Sequence, residues 1–123
     1  MTGASGGYGL GIAAVLAEEG ARVWLTARTA GPLQDAAREI GGTAVVADAG
    51  VAGDWDRVFG EVIAEAGRLD ILVNNAGAGV VVKPLDEQSD QEIDLAMAVN
   101  LTGAAYGCRR AAALMKRQQG GSI

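Results

Sequence analysis

The eight residues Thr2-Gly3-Ala4-Ser5-Gly6-Gly7-Tyr8-Gly9 constrain the fold more than any other stretch of the chain. They form a glycine-rich loop running straight into Leu10-Gly11-Ile12-Ala13-Ala14-Val15-Leu16-Ala17-Glu18-Glu19, which reads as a helix stopped by Gly20. A glycine turn that opens a helix gathers backbone N–H groups and the positive helix end at one point, and that arrangement attracts a pyrophosphate. Glycines let the backbone approach the ligand and adopt dihedrals that a Cβ would block. Such a loop should follow a strand, yet only Met1 precedes Thr2. Taken alone, the loop fits any tight turn before a helix as well as it fits a phosphate cradle.

The rest of the chain alternates regularly. Arg22–Thr26 is a short β-prone run ending at Ala27-Arg28, and Gly31-Pro32 opens a helix through Ile40 that Gly41-Gly42 stops. Thr43–Ala47 is the next strand. Asp54 is placed to cap a third helix, whose apolar face is Val58, Phe59, Val62, Ile63 and Ala66 before Gly67 ends it. Leu69–Val73 reads as a further strand running into Asn74-Asn75-Ala76-Gly77. Beyond a loop containing Lys83-Pro84, Ser89 and Glu92 have capping-box spacing, and one long helix is predicted from about Asp90 to Gln119. Gly120–Ile123 reads as a turn and the first residue of another strand. Strands alternating with helices predict an α/β fold, a single Rossmann-like domain over residues 1–123 with a doubly wound parallel sheet. That sheet is expected to be partial, with the first strand missing and the fifth cut at its start.

Nineteen residues after Gly9 stands Arg28, at the end of the Arg22–Thr26 strand. In the dinucleotide fold the residue about 20 positions past the loop selects the cofactor: an acid holds the ribose 2′-hydroxyl, an arginine accommodates a 2′-phosphate. Ala27 beside it is uncharged, so NADP(H) is expected over NAD(H), with NAD(H) possible. A solvated surface arginine is the other reading of Arg28.

Composition removes several classes. A net charge of −5 argues against a nucleic-acid partner, which needs a basic face. No residue before Arg22 is basic, and no apolar run approaches a membrane span, so neither a secretory signal nor a membrane partner is expected. The single Cys108 fits a reducing, cytoplasmic setting. The chain has no histidine, which removes the commonest metal ligand and general base together, and no metal site is expected. Aromatics are 4% of the residues, so the core must come from Ala, Val, Leu and Ile.

Three segments together resemble the short-chain dehydrogenase/reductase family. They are Thr2-Gly3…Gly7…Gly9 in the loop, Asn74-Asn75-Ala76-Gly77 after its strand, and Val99-Asn100-Leu101-Thr102-Gly103 in the long helix. The loop alone also fits the extended, sugar-nucleotide-modifying branch through Gly3, Gly6 and Gly9. The Asn-Asn-Ala-Gly run marks the shorter-chain reductases. The resemblance implies that Gly3, Ser5, Gly7, Tyr8 and Gly9 line the adenosine and pyrophosphate path, Tyr8 partly through its backbone. It also implies that Arg28 meets the 2′-phosphate and that Asp48 hydrogen-bonds the adenine amino group with Ala49 beside it. Asn75, Ala76 and Gly77 would pass the ribose while Asn74 braces the sheet. Asn100 would be the catalytic-helix asparagine that helps hold a water in a proton relay. Asp48 also reads as an ordinary turn aspartate and Asn74-Asn75 as a strand end. Asn100 interrupts an apolar helical stretch, which argues for a specific hydrogen-bonding task.

In this family a tyrosine, a lysine four residues later and a serine carry the chemistry, the tyrosine needing help because its ordinary pKa of about 10 is far from neutral. The tyrosines here are Tyr8 and Tyr106. Tyr106 with Arg110 has the right spacing, but it lies on the helix of Asn100, and arginine cannot relay a proton as lysine can. The expectation is the amino-terminal cofactor-binding part of an NADP(H)-dependent oxidoreductase acting on a small carbonyl or alcohol. Such an enzyme is expected to be homo-oligomeric at full length, and the 123 residues alone are expected to be inactive. A non-catalytic NADP(H)-binding module or redox sensor is the alternative, and an interaction protein built on the long helix is the third reading. In the strand order 3-2-1-4-5-6 the missing strand is central, which predicts the order 3-2-gap-4, with Val23–Thr26 and Ile71–Val73 not paired directly.

Overall fold

The computed structural model describes residues 1–79 and 82–123; Val80 and Val81, in the loop before Lys83-Pro84, lie outside the described residues. The helix α1 (Gly7–Glu18) starts inside the glycine loop, and Gly20 follows it at φ +87°. β1 (Trp24–Ala27) pairs in parallel with β2 (Thr43–Val46), Trp24 opposite Thr43 and Ala27 opposite Val46. Between them α2 (Ala30–Ile40) ends on a left-handed Gly41, as its glycine pair predicts. Pro32 is its third residue rather than its first, still in the turn whose N–H groups have no helical acceptor.

Alternation along β1 explains the layers. Val23 and Leu25 point to one face, where they pack with Ala4, Ala13 of α1, and Leu33, Ala36 and Ala37 of α2. Leu25 and Leu33 are fully buried. Trp24 points to the opposite face and packs with Val45 and with Val62 of α3 (Ala52–Ala66). A further cluster of Trp55, Leu72, Ala111 and Met115 joins α3 to α5 (Ala104–Gln118). The sheet is therefore covered on both faces, the arrangement expected of a parallel α/β fold.

The predicted gap is narrower than the sequence implies. Met1 and Thr2 act as the end of the central strand: Thr26 N–H donates to Met1 O at 2.9 Å, and Thr2 N–H donates to Val73 O at 3.1 Å. Thr2 bridges Thr26 in parallel, and Ile71 bridges Ser122 in parallel. The order is thus β2, β1, Thr2, the Ile71–Val73 segment, Ser122, and β1 does not pair directly with Ile71–Val73. Leu69–Val73 forms one isolated bridge, Ile71 to Ser122, and a hydrogen bond from Thr2 instead of a continuous strand. Below Thr2, the space between the two segments is a cavity of about 360 Å³ lined by Met1, Trp24, Trp55, Phe59, Val62, Ile71 and Leu72, among others.

Two helix expectations are corrected. Asp54 does not cap α3; Val51 is its N-cap residue and Asp54 is the third residue in. The long helix is divided into α4 (Asp90–Met97), a π turn (Ala98–Gly103) and α5. The predicted capping box is present, with Ser89 Oγ accepting from Glu92 N–H at 3.3 Å and Glu92 accepting from Ser89 N–H at 2.7 Å. No described helix is long and apolar enough to cross a membrane.

Candidate functional site: a cleft at the carboxyl ends of the strands

The loops leaving Thr2, β1, β2 and Val73 converge on a cleft of about 470 Å³, at the edge where open α/β sheets bind ligands. Its floor is Gly3, Ser5, Gly6, Tyr8 and Gly9; one wall is Thr26–Thr29, another Ala47–Ala49, and the third Asn75–Gly77 with Val99. Every cofactor residue expected from the sequence lines it except Gly7. Gly7 begins α1 at φ +56° with nothing within 4 Å of where a Cβ would be, so its glycine serves the turn's backbone conformation rather than close packing. Gly6, Thr26, Ala27, Thr29, Ala47 and Val99 also line the cleft, and none of them was assigned a cofactor role from the sequence. Ala27 and Ala47 follow from the rule that strand ends border the site; Val99, which opens the Val99–Gly103 motif, reaches the cleft from the π turn.

The loop is fixed from below. Thr2 Oγ1 accepts from the N–H groups of both Asn75 and Ala76 at 3.0 Å. The Asn75 amide donates to Thr2 O at 3.0 Å and Gly3 O at 3.1 Å. Asn75 therefore spends its side-chain N–H groups on holding the glycine loop. Close approach is the reason for glycine at two positions. A Cβ on Gly3, at φ +62°, would lie 2.8 Å from Ala76 Cα, and one on Gly9 would collide with Gly3 O. α1 begins here without a side-chain cap, Gly6 being its N-cap residue. The N–H groups of its first turn are thus left for a ligand at the positive end of the helix.

Arg28 stands exposed at the end of β1, on the cleft wall, with no carboxylate partner among the described residues. Asp48 follows β2; its Oδ1 accepts from Gly50 N–H at 2.8 Å. Asn74 turns its side chain toward α5: it donates to Cys108 Sγ at 3.3 Å and lies against Gly107. Its buried Oδ1 lacks a hydrogen-bond partner among the described residues.

Asn100 lies in the π turn, the kind of helix irregularity found at functional positions. Its Oδ1 accepts from Ala78 N–H and its Nδ2 donates to Ala78 O, both at 3.0 Å. Two-point pairing of an amide with one peptide unit clamps the segment after Gly77. Tyr106 does not reach the cleft; it packs on the Trp55–Met115 cluster. Arg110 beside it is tied to Asp56 at 2.7 Å and to Ala52 O at 3.1 Å.

Cradle, uncapped helix end, exposed cation and aspartate fit a dinucleotide, and 470 Å³ falls within the ordinary range of cofactor sites. A family model described as short chain dehydrogenase matches residues 1–123. An uncharacterized oxidoreductase of Thermotoga maritima is 35% identical, the match covering 100% of this chain and 50% of that protein. The NADP-dependent (R)-specific alcohol dehydrogenase of Lentilactobacillus kefiri is also 35% identical, over 96% of this chain and 48% of its own length. The crystal structure of a metagenomic short-chain oxidoreductase in complex with NADP superposes with a TM-score of 0.91 at 39% identity, covering 98% of this chain and 57% of that one. The chain spans about half the length of the curated relatives it matches.

Proposed function

Because this chain belongs to the short chain dehydrogenase family, we propose that it is the NADP(H)-binding half of an oxidoreductase that moves hydride between the nicotinamide and a small carbonyl or alcohol substrate. The observation that carries this reading is the convergence of the glycine loop, Arg28, Asp48 and Asn75–Gly77 on one cleft. The bound nicotinamide supplies the hydride acceptor or donor. The chain's own residues bind and orient. The loop N–H groups and the end of α1 hold the pyrophosphate, Arg28 holds the 2′-phosphate, and one Asp48 oxygen accepts from the adenine amino group. A relative that is NADP-dependent and a structural neighbour solved with NADP support the choice of NADP(H) over NAD(H).

The role expected of Asn100 narrows in this reading. With its amide committed to Ala78, it is a positioning residue that sets the loop beside the ribose, and it does not move a proton through its side chain. Neither Tyr8 nor Tyr106 is followed four residues later by lysine. In this reading turnover needs catalytic groups other than these, and the 123 residues bind without reacting; a non-catalytic NADP(H) module is the second reading.

Titration with NADPH and NADH, followed by nucleotide fluorescence, tests the proposal. Saturable NADPH binding at least about tenfold tighter than NADH is expected, since one charge-assisted contact to the 2′-phosphate is worth roughly 1.5–3 kcal/mol. Equal affinities, or no saturation with either, would sink it.

A further inference from the structure

The turn carrying Asp48 is held by residues that do not touch the cleft. Asp48 N–H donates to Asp54 Oδ2 at 2.7 Å, and Val51 N–H closes the turn on Asp48 O at 3.0 Å. Trp55 Nε1 donates to the next carbonyl, Ala49 O, at 2.7 Å. Asp54 is gripped in turn by Arg57, whose Nη2 donates to Asp54 Oδ1 at 3.0 Å. The Asp48 N–H and then the Arg57 guanidinium hold the Asp54 carboxyl below the usual carboxylate range. It also sits in the first turn of α3, where the helix favours an anion. Gly50 N–H holds Asp48 Oδ1, and Oδ2 has no protein donor among the described residues, so Oδ2 is the oxygen freer to accept from a ligand. A shift of this turn would move the carboxylate relative to the cleft.

Resting on the dinucleotide reading above, we propose that Asp54 is a positioning residue for base recognition: by accepting the Asp48 N–H it fixes the turn so that Asp48 Oδ2 meets an exocyclic amino group, which selects adenine against a 6-oxo purine. A 6-oxo base would set its carbonyl oxygen against the carboxylate, so selection comes from repulsion as well as from the lost bond. Arg57 completes the device by holding Asp54 in place.

The experiment compares NADPH with its hypoxanthine analogue, on the chain itself and on Asp54→Ala, Asp54→Asn and Asp48→Ala variants. The wild type is expected to prefer adenine by about tenfold or more, the worth of one hydrogen bond to a charged acceptor. Asp54→Ala and Asp48→Ala are each expected to bring that preference near unity, and the double variant to lose nothing further. Asp54→Asn, whose amide oxygen still accepts from Asp48 N–H, is expected to restore part of it. Should Asp54→Ala not fold, Arg57→Ala carries the test, with an expected two- to threefold drop in preference. Equal weakening of both nucleotides by Asp54→Ala, with the base preference intact, would show a merely structural role and overturn the proposal. A wild type that binds NADPH without preferring adenine removes the role of Asp48 and the proposal with it, whereas a wild type that binds neither nucleotide overturns the dinucleotide reading itself.

Discussion

At the scale of single residues, the account turns on how side chains are spent. Arg28 is the exposed cation on the cleft wall, so Arg28→Ala is expected to weaken NADPH about 10- to 100-fold, the worth of losing one or two charge-assisted bonds, and to leave NADH within about twofold. Paired titrations check this; parallel losses for both nucleotides would mean that Arg28 supports the loop rather than reading the phosphate. The place of Arg28 on the cleft was legible from its distance past the glycine loop, and that of Asp48 from the family resemblance. The commitments of Asn75 and Asn100 were not. Their partners, Thr2 and Ala78, lie 73 and 22 residues away, and no local pattern encodes which backbone group an amide will find. Gly7 differs from Gly3 and Gly9 in a way the sequence does not display: a glycine needed for a positive φ looks the same there as one needed for close approach.

At the scale of elements, the capping box of α4 was legible because both partners lie within four residues. Ser89→Ala is expected to cost about 1 kcal/mol, read from the thermal unfolding midpoint. The Glu92 carboxyl is held at about 2, chiefly by Lys83 at 2.8 Å and then by Ser89. A carboxyl with a depressed folded pKa contributes stability that is fully present above its ordinary value near 4.5 and is lost as pH falls toward 2. Glu92→Gln is therefore expected to flatten the acid limb of unfolding between pH 4.5 and 2, measured by circular dichroism; an unchanged limb would show that the lysine pair adds nothing. The division of the 90–119 stretch by a π turn was not legible. Gly103 sits in the turn with its backbone against Ala49, where a Cβ would collide with Ala49 O. A contact 54 residues away in the chain thus coincides with the local irregularity, while the apolar spacing alone continues smoothly through it.

At the scale of the whole molecule, two helical layers hold a sheet whose centre is only Met1 and Thr2 wide at the cleft end. Parallel order and covering of both faces followed from the alternation of strands and helices. The partial filling of the centre did not, because two residues are too few to read as a strand. The central claim is that one cleft gathers the loop, Arg28, Asp48 and Asn75–Gly77 around NADP(H). It is tested most directly by amide chemical-shift mapping of the chain on addition of NADP+. The account predicts saturable shifts concentrated at residues 3–9, 26–29, 47–49 and 75–77, and shifts centred elsewhere, or none at saturating nucleotide, would contradict it.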